Sequence, residues 1–384
     1  MTTSNKTQSN RRIRRQFLTV TLAFAFNLCC SHAFTQQSQT SSPATLRDAA
    51  AQAHRLVGAA LSAGKLRNSP SFAAVAGREF NYVTPENEMK PGLLEPEQNQ
   101  FVWMTNPDDN AAEQVVRFAE AHGMKVKGHN LLWHEQYPKW MLQLNAQQIH
   151  DAFVNHAHQV VRHFKGRVIA WDVVNEVIDN DNGNQLRVGD PVKYPLYQRL
   201  GATDAERRAN LYQLIKDVFV AAHQEDPAAL LFMNDYSIEA ASPKADAVIA
   251  LAIKLKADGV PIDGVGFQCH LGLNRAPATE LAANMKRLTD RGFLVNISEI
   301  DISECDAPAG QGDAMQAAYW HDIAAACVAN ASCNGITAWG IDDKDSWIKT
   351  CKNAPGRLPR PLMFDDSFTA KPSYSATMQA LLGK

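Results

Sequence analysis

Apolar residues in this chain fall in short runs that stop where polar and charged residues begin. Val168–Ile178 shows the design: Val-Ile-Ala-Trp-Asp-Val-Val-Asn-Glu-Val-Ile. A β-branched run that ends in Asn-Glu suits a strand buried on both faces, with its polar residues where the strand stops. Gly292–Ile302 repeats it as Gly-Phe-Leu-Val-Asn-Ile-Ser-Glu-Ile-Asp-Ile, with carboxylates near the end. The same reading predicts strands at Val57–Ala63, Phe80–Thr84, Lys125–Gly128, Val168–Glu176, Ala229–Met233, Gly264–Gln268, Phe293–Ser298 and Gly335–Trp339. Helical patterns alternate with them at Leu46–Leu56, Asn110–His122, Ala146–Phe164, Asp204–Glu225, Pro243–Lys256, Thr279–Arg291, Asp313–Ala329 and Ala370–Leu382. Alternation of strand and helix predicts an α/β fold with a parallel sheet, and the count predicts a (β/α)8 TIM barrel. The strand C-terminal ends of such a barrel share one face, where barrel enzymes place their sites. Polar residues from 86 to 347 are thereby expected in one cleft.

Composition changes this picture little. The chain has 384 residues, 45% of them hydrophobic, enough for a substantial core and against global disorder. The formal net charge is -2 and no basic patch is evident, so nucleic acid is set aside as a partner. Residues 1–33 read as an export leader: Lys6, Arg11, Arg12, Arg14 and Arg15 without any acid, then an apolar run from Phe17 to Cys30, then a small-x-small site at Ser31-His32-Ala33. The run is short for a membrane span. Arg14-Arg15-Gln16-Phe17-Leu18 resembles a twin-arginine signal, and a general secretory signal fits equally. The expected location is secreted or periplasmic, without membrane attachment once the leader is removed. Residues 34–43 read as a Gln/Ser/Thr-rich linker and 44–384 as one catalytic barrel, expected to be a monomer. In an oxidising compartment Cys327 and Cys333 are the best disulfide pair, Cys305 and Cys351 are able to form a second, and Cys269 is left over. The alternative is that all five are reduced and buried.

Two strand-end carboxylates supply what general-acid and nucleophile chemistry needs, so Glu176 and Glu299 are expected to face each other across a substrate bond. One alone is more often a solvated loop residue. A pair with different environments is the usual apparatus for breaking a glycosidic bond. His129 and His134 suggest a metal site as an alternative, but the His-x4-His spacing is not a familiar zinc pattern and no acidic third ligand stands nearby.

Trp171-Asp172-Val173-Val174-Asn175-Glu176 and Val295-Asn296-Ile297-Ser298-Glu299-Ile300-Asp301 resemble the acid/base and nucleophile strands of the family 10 glycoside hydrolases, the (β/α)8 endo-xylanases. The resemblance spans Ala44 to Leu382. It implies retaining endo-hydrolysis of β-1,4-xylosidic bonds in xylan or xylo-oligosaccharides, with Glu176 as acid/base, Glu299 as nucleophile and no cofactor or catalytic metal. It implies that Asn175 bonds the sugar 2-OH, that His270 contacts the nucleophile and that Asp301 supports His270. As a bland alternative, His270 is a satisfied core histidine. Substrate-binding roles follow for Glu86, Asn87 and Lys90, for His129, Trp133 and Gln136, for Tyr236 and Gln268, and for Trp339 and Trp347. Period-two alternation puts Gln268 and His270 on one face. The chain departs from the family pattern at Asn130, Glu135, Ser237 and Cys269, none of which removes a proposed catalytic group. A β-1,4-glucanase on the same scaffold and a non-catalytic sugar-binding barrel are the competing readings.

Overall fold

The computed structural model describes residues 44–181, 183–274 and 277–384; the expected leader and linker lie outside these. Its centre is a closed parallel barrel. The strands are β1 (Leu56–Leu61), β2 (Tyr82–Pro85), β3 (Lys125–Leu132), β4 (Val168–Asn175), β5 (Leu230–Asp235), β6 (Gly264–Phe267), β7 (His270–Gly272), β8 (Leu294–Ser303) and β9 (Cys333–Ala338). Neighbours pair in the order β6-β5-β4-β3-β2-β1-β9-β8, and a β6–β8 pairing closes the ring. The short β7 extends the sixth position and pairs with the far end of β8. The eight-strand barrel expected from the alternation is therefore present.

Helices on the outside supply the other half of the core. Ala146–His163 turns Ile149, Phe153, Ala157 and Val160 inward, a stripe at helical spacing. Asn145 and Gln148 form a capping box at its start, and Thr203 with Glu206 does the same for Asp204–Glu225. Inside the barrel, Lys127 Nζ pairs with Asp172 Oδ1 at 2.7 Å, both side chains 1% exposed.

Strand ends depart from the sequence expectation in both directions. β8 runs on to Ser303 rather than stopping at Ser298, because Glu299 N donates to Gln268 O and Asp301 N to Cys269 O. Glu299 therefore sits inside a strand, not after it. β3 continues to Leu132, through His129. β6 stops at Phe267, since Cys269 adopts a left-handed φ of 62° and breaks the ladder before β7. The first helix ends at Gln52, short of Leu56. Ala63 opens a helix instead of closing β1, and Trp339 lies one residue past β9. A helix at Pro70–Glu79, capped by Ser69 and opened by Pro70 at its first turn, was not expected from the pattern. Among the described residues no helix is long and apolar enough to cross a membrane.

Among the described residues two disulfides are formed, Cys305–Cys351 and Cys327–Cys333, and Cys269 is free and buried. The first closes a separation of 46 residues, the second one of 6. On the loop-closure account the larger loop contributes about 4 kcal/mol and the smaller about 2 kcal/mol. Replacing Cys305 and Cys351 by Ala should lower the thermal midpoint further than replacing Cys327 and Cys333. Calorimetry of both double variants checks this, and equal midpoints would contradict it.

Candidate active site

The C-terminal ends of the strands open into a cleft of about 1460 Å³. Glu176 stands one residue past β4 with φ 54°, left-handed backbone that few non-glycine residues adopt. Its N–H donates to Asn234 O at 2.8 Å, which aims the side chain into the cleft. The carboxylate accepts from Trp133 Nε1 at 3.0 Å, Gln268 Nε2 at 3.0 Å and Asn175 Nδ2 at 3.3 Å.

Glu299 faces the same space from β8 and is only 4% exposed. Asn234 Nδ2 donates to its Oε1 at 2.6 Å, and His270 Nε2 lies 3.2 Å from its Oε2. His270 Nδ1 lies 2.9 Å from Asp301 Oδ2, so both ring nitrogens address carboxylates. Burial works against the His270 cation, but the charge and hydrogen bond of Asp301, with those of Glu299, raise its pKa well above the usual histidine value. Burial also works against ionised Glu299. The His270 hydrogen bond and the charges of His129, His270 and Lys90 outweigh it and bring the carboxyl down to about 2.

Two amides join the carboxylates. Asn234 Nδ2 also donates to Asn175 Oδ1 at 2.9 Å, and Gln268 Nε2 approaches the same oxygen at 3.3 Å. Ser298 Oγ donates to Asn234 Oδ1 at 2.6 Å and fixes which end of that amide points at Glu299. A Cβ on Gly266 would stand 2.3 Å from Asn234 Oδ1, so only glycine leaves this amide its place.

The walls carry the remaining groups. Lys90 donates to Asn87 Oδ1 at 2.9 Å and lies 4.8 Å from the Trp133 ring centroid. Glu86 pairs with Lys65 at 3.6 Å, and burial raises its pKa against the pull of Lys65. His129 Nδ1 meets Asp172 Oδ2 at 3.0 Å, while its ring packs edge-on against Trp339 at 5.2 Å. His134 Nε2 instead faces Glu135 at 3.6 Å, so the two histidines address different carboxylates. Trp347 is 55% exposed, yet its Nε1 donates to Asp301 Oδ2 at 2.8 Å.

The expected site residues Glu86, Asn87, Lys90, His129, Trp133, Gln136, Asn175, Glu176, Tyr236, Gln268, His270, Glu299, Trp339 and Trp347 all line this one cleft. Asp301 lies behind His270, and Cys327 and Cys333 lie away from the cleft. Gln268 and His270 do converge, though not by strand alternation: the left-handed Cys269 between them turns the chain. Sequence reasoning missed Asn234, Asp172 and Arg187. Asn234 carried a signal, since it ends an apolar run as Asn175 does. Asp172 lay inside a quoted motif, and only the barrel interior reveals its partners. Arg187 sits in an irregular segment without period or motif.

A parallel barrel with a paired, differently supported carboxylate couple at its C-terminal face defines a barrel glycoside hydrolase. The chain belongs to glycosyl hydrolase family 10, whose model matches residues 45–380. It is similar to Endo-1,4-beta-xylanase B of Thermotoga neapolitana, 30% identical over 82% of this chain and 85% of that protein. Endo-1,4-beta-xylanase A of Phanerodontia chrysosporium is 32% identical over 77% of this chain, which spans 66% of that relative. The crystal structure of xylanase 10B from Thermotoga petrophila in complex with xylobiose superposes with a TM-score of 0.76 at 31% identity, over 89% of this chain and 98% of that one.

His270→Gln tests the electrostatic arrangement. Losing the cation leaves burial less opposed, so the Glu299 pKa should rise and the acid limb of kcat/KM should move to higher pH. An aryl glycoside with a good leaving group isolates this limb from proton donation. An unmoved limb would show that His270 does not hold Glu299 ionised.

Proposed function

We infer that this protein is an endo-β-1,4-xylanase that cuts xylan with net retention. The observation that carries the reading is the pair of carboxylates in one cleft: Glu299 buried against His270 and Asn234, Glu176 held in left-handed backbone with its carboxylate on Trp133 and Gln268. The first carboxylate attacks the anomeric carbon while Glu176 protonates the departing oxygen. Glu176 then takes a proton from the water that releases the glycosyl-enzyme. Asn175, already bridged to both partners by Asn234 and Gln268, is placed to bond the sugar 2-OH. Lys90, Asn87 and Glu86 offer hydroxyl partners on one wall, and His129, Gln136 and Tyr236 on others. Trp339 and Trp347 present indole faces to the apolar side of a pyranose. Support comes from the family and from the xylobiose bound by the Thermotoga petrophila relative. We read residues 1–33 as an export leader, in keeping with two disulfides in the barrel.

The test is the anomeric configuration of the first product from β-1,4-xylan, followed by NMR. A β-anomer before mutarotation is expected. An α-anomer would reassign Glu299 as the base of an inverting reaction. Initial rates on xylohexaose and cellohexaose address the sugar: faster cellohexaose cleavage would replace the xylanase reading with a glucanase.

A further inference from the structure

Arg187 is 4% exposed, and its guanidinium meets four oxygens, none of them a carboxylate's. Nε donates to Glu176 O at 2.6 Å. Nη1 donates to Tyr194 Oη at 2.8 Å, and Nη2 to Ile178 O at 2.9 Å and Tyr236 Oη at 3.0 Å. A buried cation without a directly bonded anion is costly to desolvate, so a role confined to packing would be filled more cheaply by an apolar side chain. The four acceptors mark the place served: the turn that carries Glu176, and two tyrosines of the cleft wall.

The turn needs such a clamp. Glu176 holds φ 54°, a conformation that persists only where its surroundings over-determine it. Its N–H is fixed by Asn234 O at 2.8 Å, and its C=O is fixed by Arg187. The following segment folds back to deliver that arginine: Ile178 bridges Leu186, and Arg187 N donates to Val177 O at 3.0 Å. Without the guanidinium, the peptide after Glu176 has lost its anchor and is free to rotate toward ordinary backbone. The carboxyl would then leave the line of Trp133 Nε1 and Gln268 Nε2.

We propose that Arg187 is a positioning residue for proton transfer, clamping the strained peptide of Glu176 so that its carboxyl reaches the glycosidic oxygen. The proposal rests on the reading of Glu176 as acid/base. In the first step the bond from C1 to the leaving oxygen breaks, a bond from Glu299 to C1 forms, and the proton passes from Glu176 to the leaving oxygen. In the second, water adds to C1, the Glu299–C1 bond breaks, and Glu176 takes the proton back. A displaced Glu176 harms both proton transfers and spares the carbon chemistry.

The experiment measures kcat/KM on xylan and on a dinitrophenyl β-xylobioside for Arg187→Met, Arg187→Lys and Glu176→Ala. Dinitrophenolate leaves without a proton. Arg187→Met should lose ~10- to 100-fold on xylan and less than about threefold on the aryl substrate, with Arg187→Lys between it and the native enzyme. Azide should accelerate turnover of the aryl substrate by Arg187→Met and yield the β-glycosyl azide. It forms a C1–N bond as Glu299 departs and has no proton to surrender. Equal losses on both substrates without an azide effect would overturn the proposal and leave Arg187 a packing residue, and no loss on either would overturn it too. If Arg187→Met fails to reach a native circular-dichroism spectrum, the same split is read on Arg187→Lys. Glu176→Ala separates the two readings: if it shows no split, the acid/base assignment itself fails. If it splits and the arginine variants do not, only the role of Arg187 is lost.

Discussion

Keeping Glu299 ionised inside the barrel is the constraint on which the site depends. Withdrawing a carboxylate from water costs several kcal/mol, and a carboxylate proposed as a nucleophile must nevertheless remain an anion. Here the depression to about 2 corresponds to about 3 kcal/mol in favour of the charged form. The donors that achieve it are themselves held by a second rank. Asp301 orients His270, Asp172 orients His129, and Lys127 neutralises Asp172 inside the barrel. The same linkage shapes stability. With a folded pKa below its unfolded value, Glu299 contributes stability above about 4.5, and that contribution is lost as pH falls from there toward 2. His270 shifts the other way. Its contribution is complete below the unfolded value near 6.5 and disappears as pH rises through the raised folded value.

The second constraint is direction. A parallel strand points its side chains alternately into the barrel and out toward the helices, so only alternate residues near its C-terminal end, such as Glu299 and His129, reach the cleft. At three strand ends the chain escapes this by entering left-handed backbone: Glu176 after β4, Ser237 after β5 and Cys269 after β6. Each of these turns bends the polypeptide where cleft residues are needed. Strain of this kind is tolerated where neighbours impose it. At Glu176 the neighbours are Asn234 and Arg187. At Cys269 one is Glu239, whose Oε1 accepts the backbone N–H at 2.8 Å.

What was legible in the sequence follows from the same physics. Strands buried on both faces write themselves as largely apolar runs, so β4, β5 and β9 were placed within two residues. Runs that carry functional carboxylates conceal their true ends: β8 continues through Glu299 and Asp301, which look like loop residues. Left-handed turns at non-glycine positions leave no compositional trace, so Gln268 and His270 were brought together for a wrong reason. Arg187 and Asn234 act through contacts with residues far along the chain, or through backbone atoms, and neither kind of partner shows in a local pattern.

The exposed wall of the cleft shows how a surface tryptophan becomes part of the electrostatic core. Trp347 stands on an irregular loop, where side chains ordinarily sample many positions. Its indole N–H is tied to Asp301, and its ring packs edge-on against His270 at 5.1 Å. The Cys305–Cys351 bridge fastens the same loop just beyond the end of β8, the strand that bears Glu299. The bond from Trp347 ends on the same Asp301 oxygen that meets His270, Oδ2 serving both. The wall tryptophan and the histidine that meets Glu299 are thus joined through one oxygen atom.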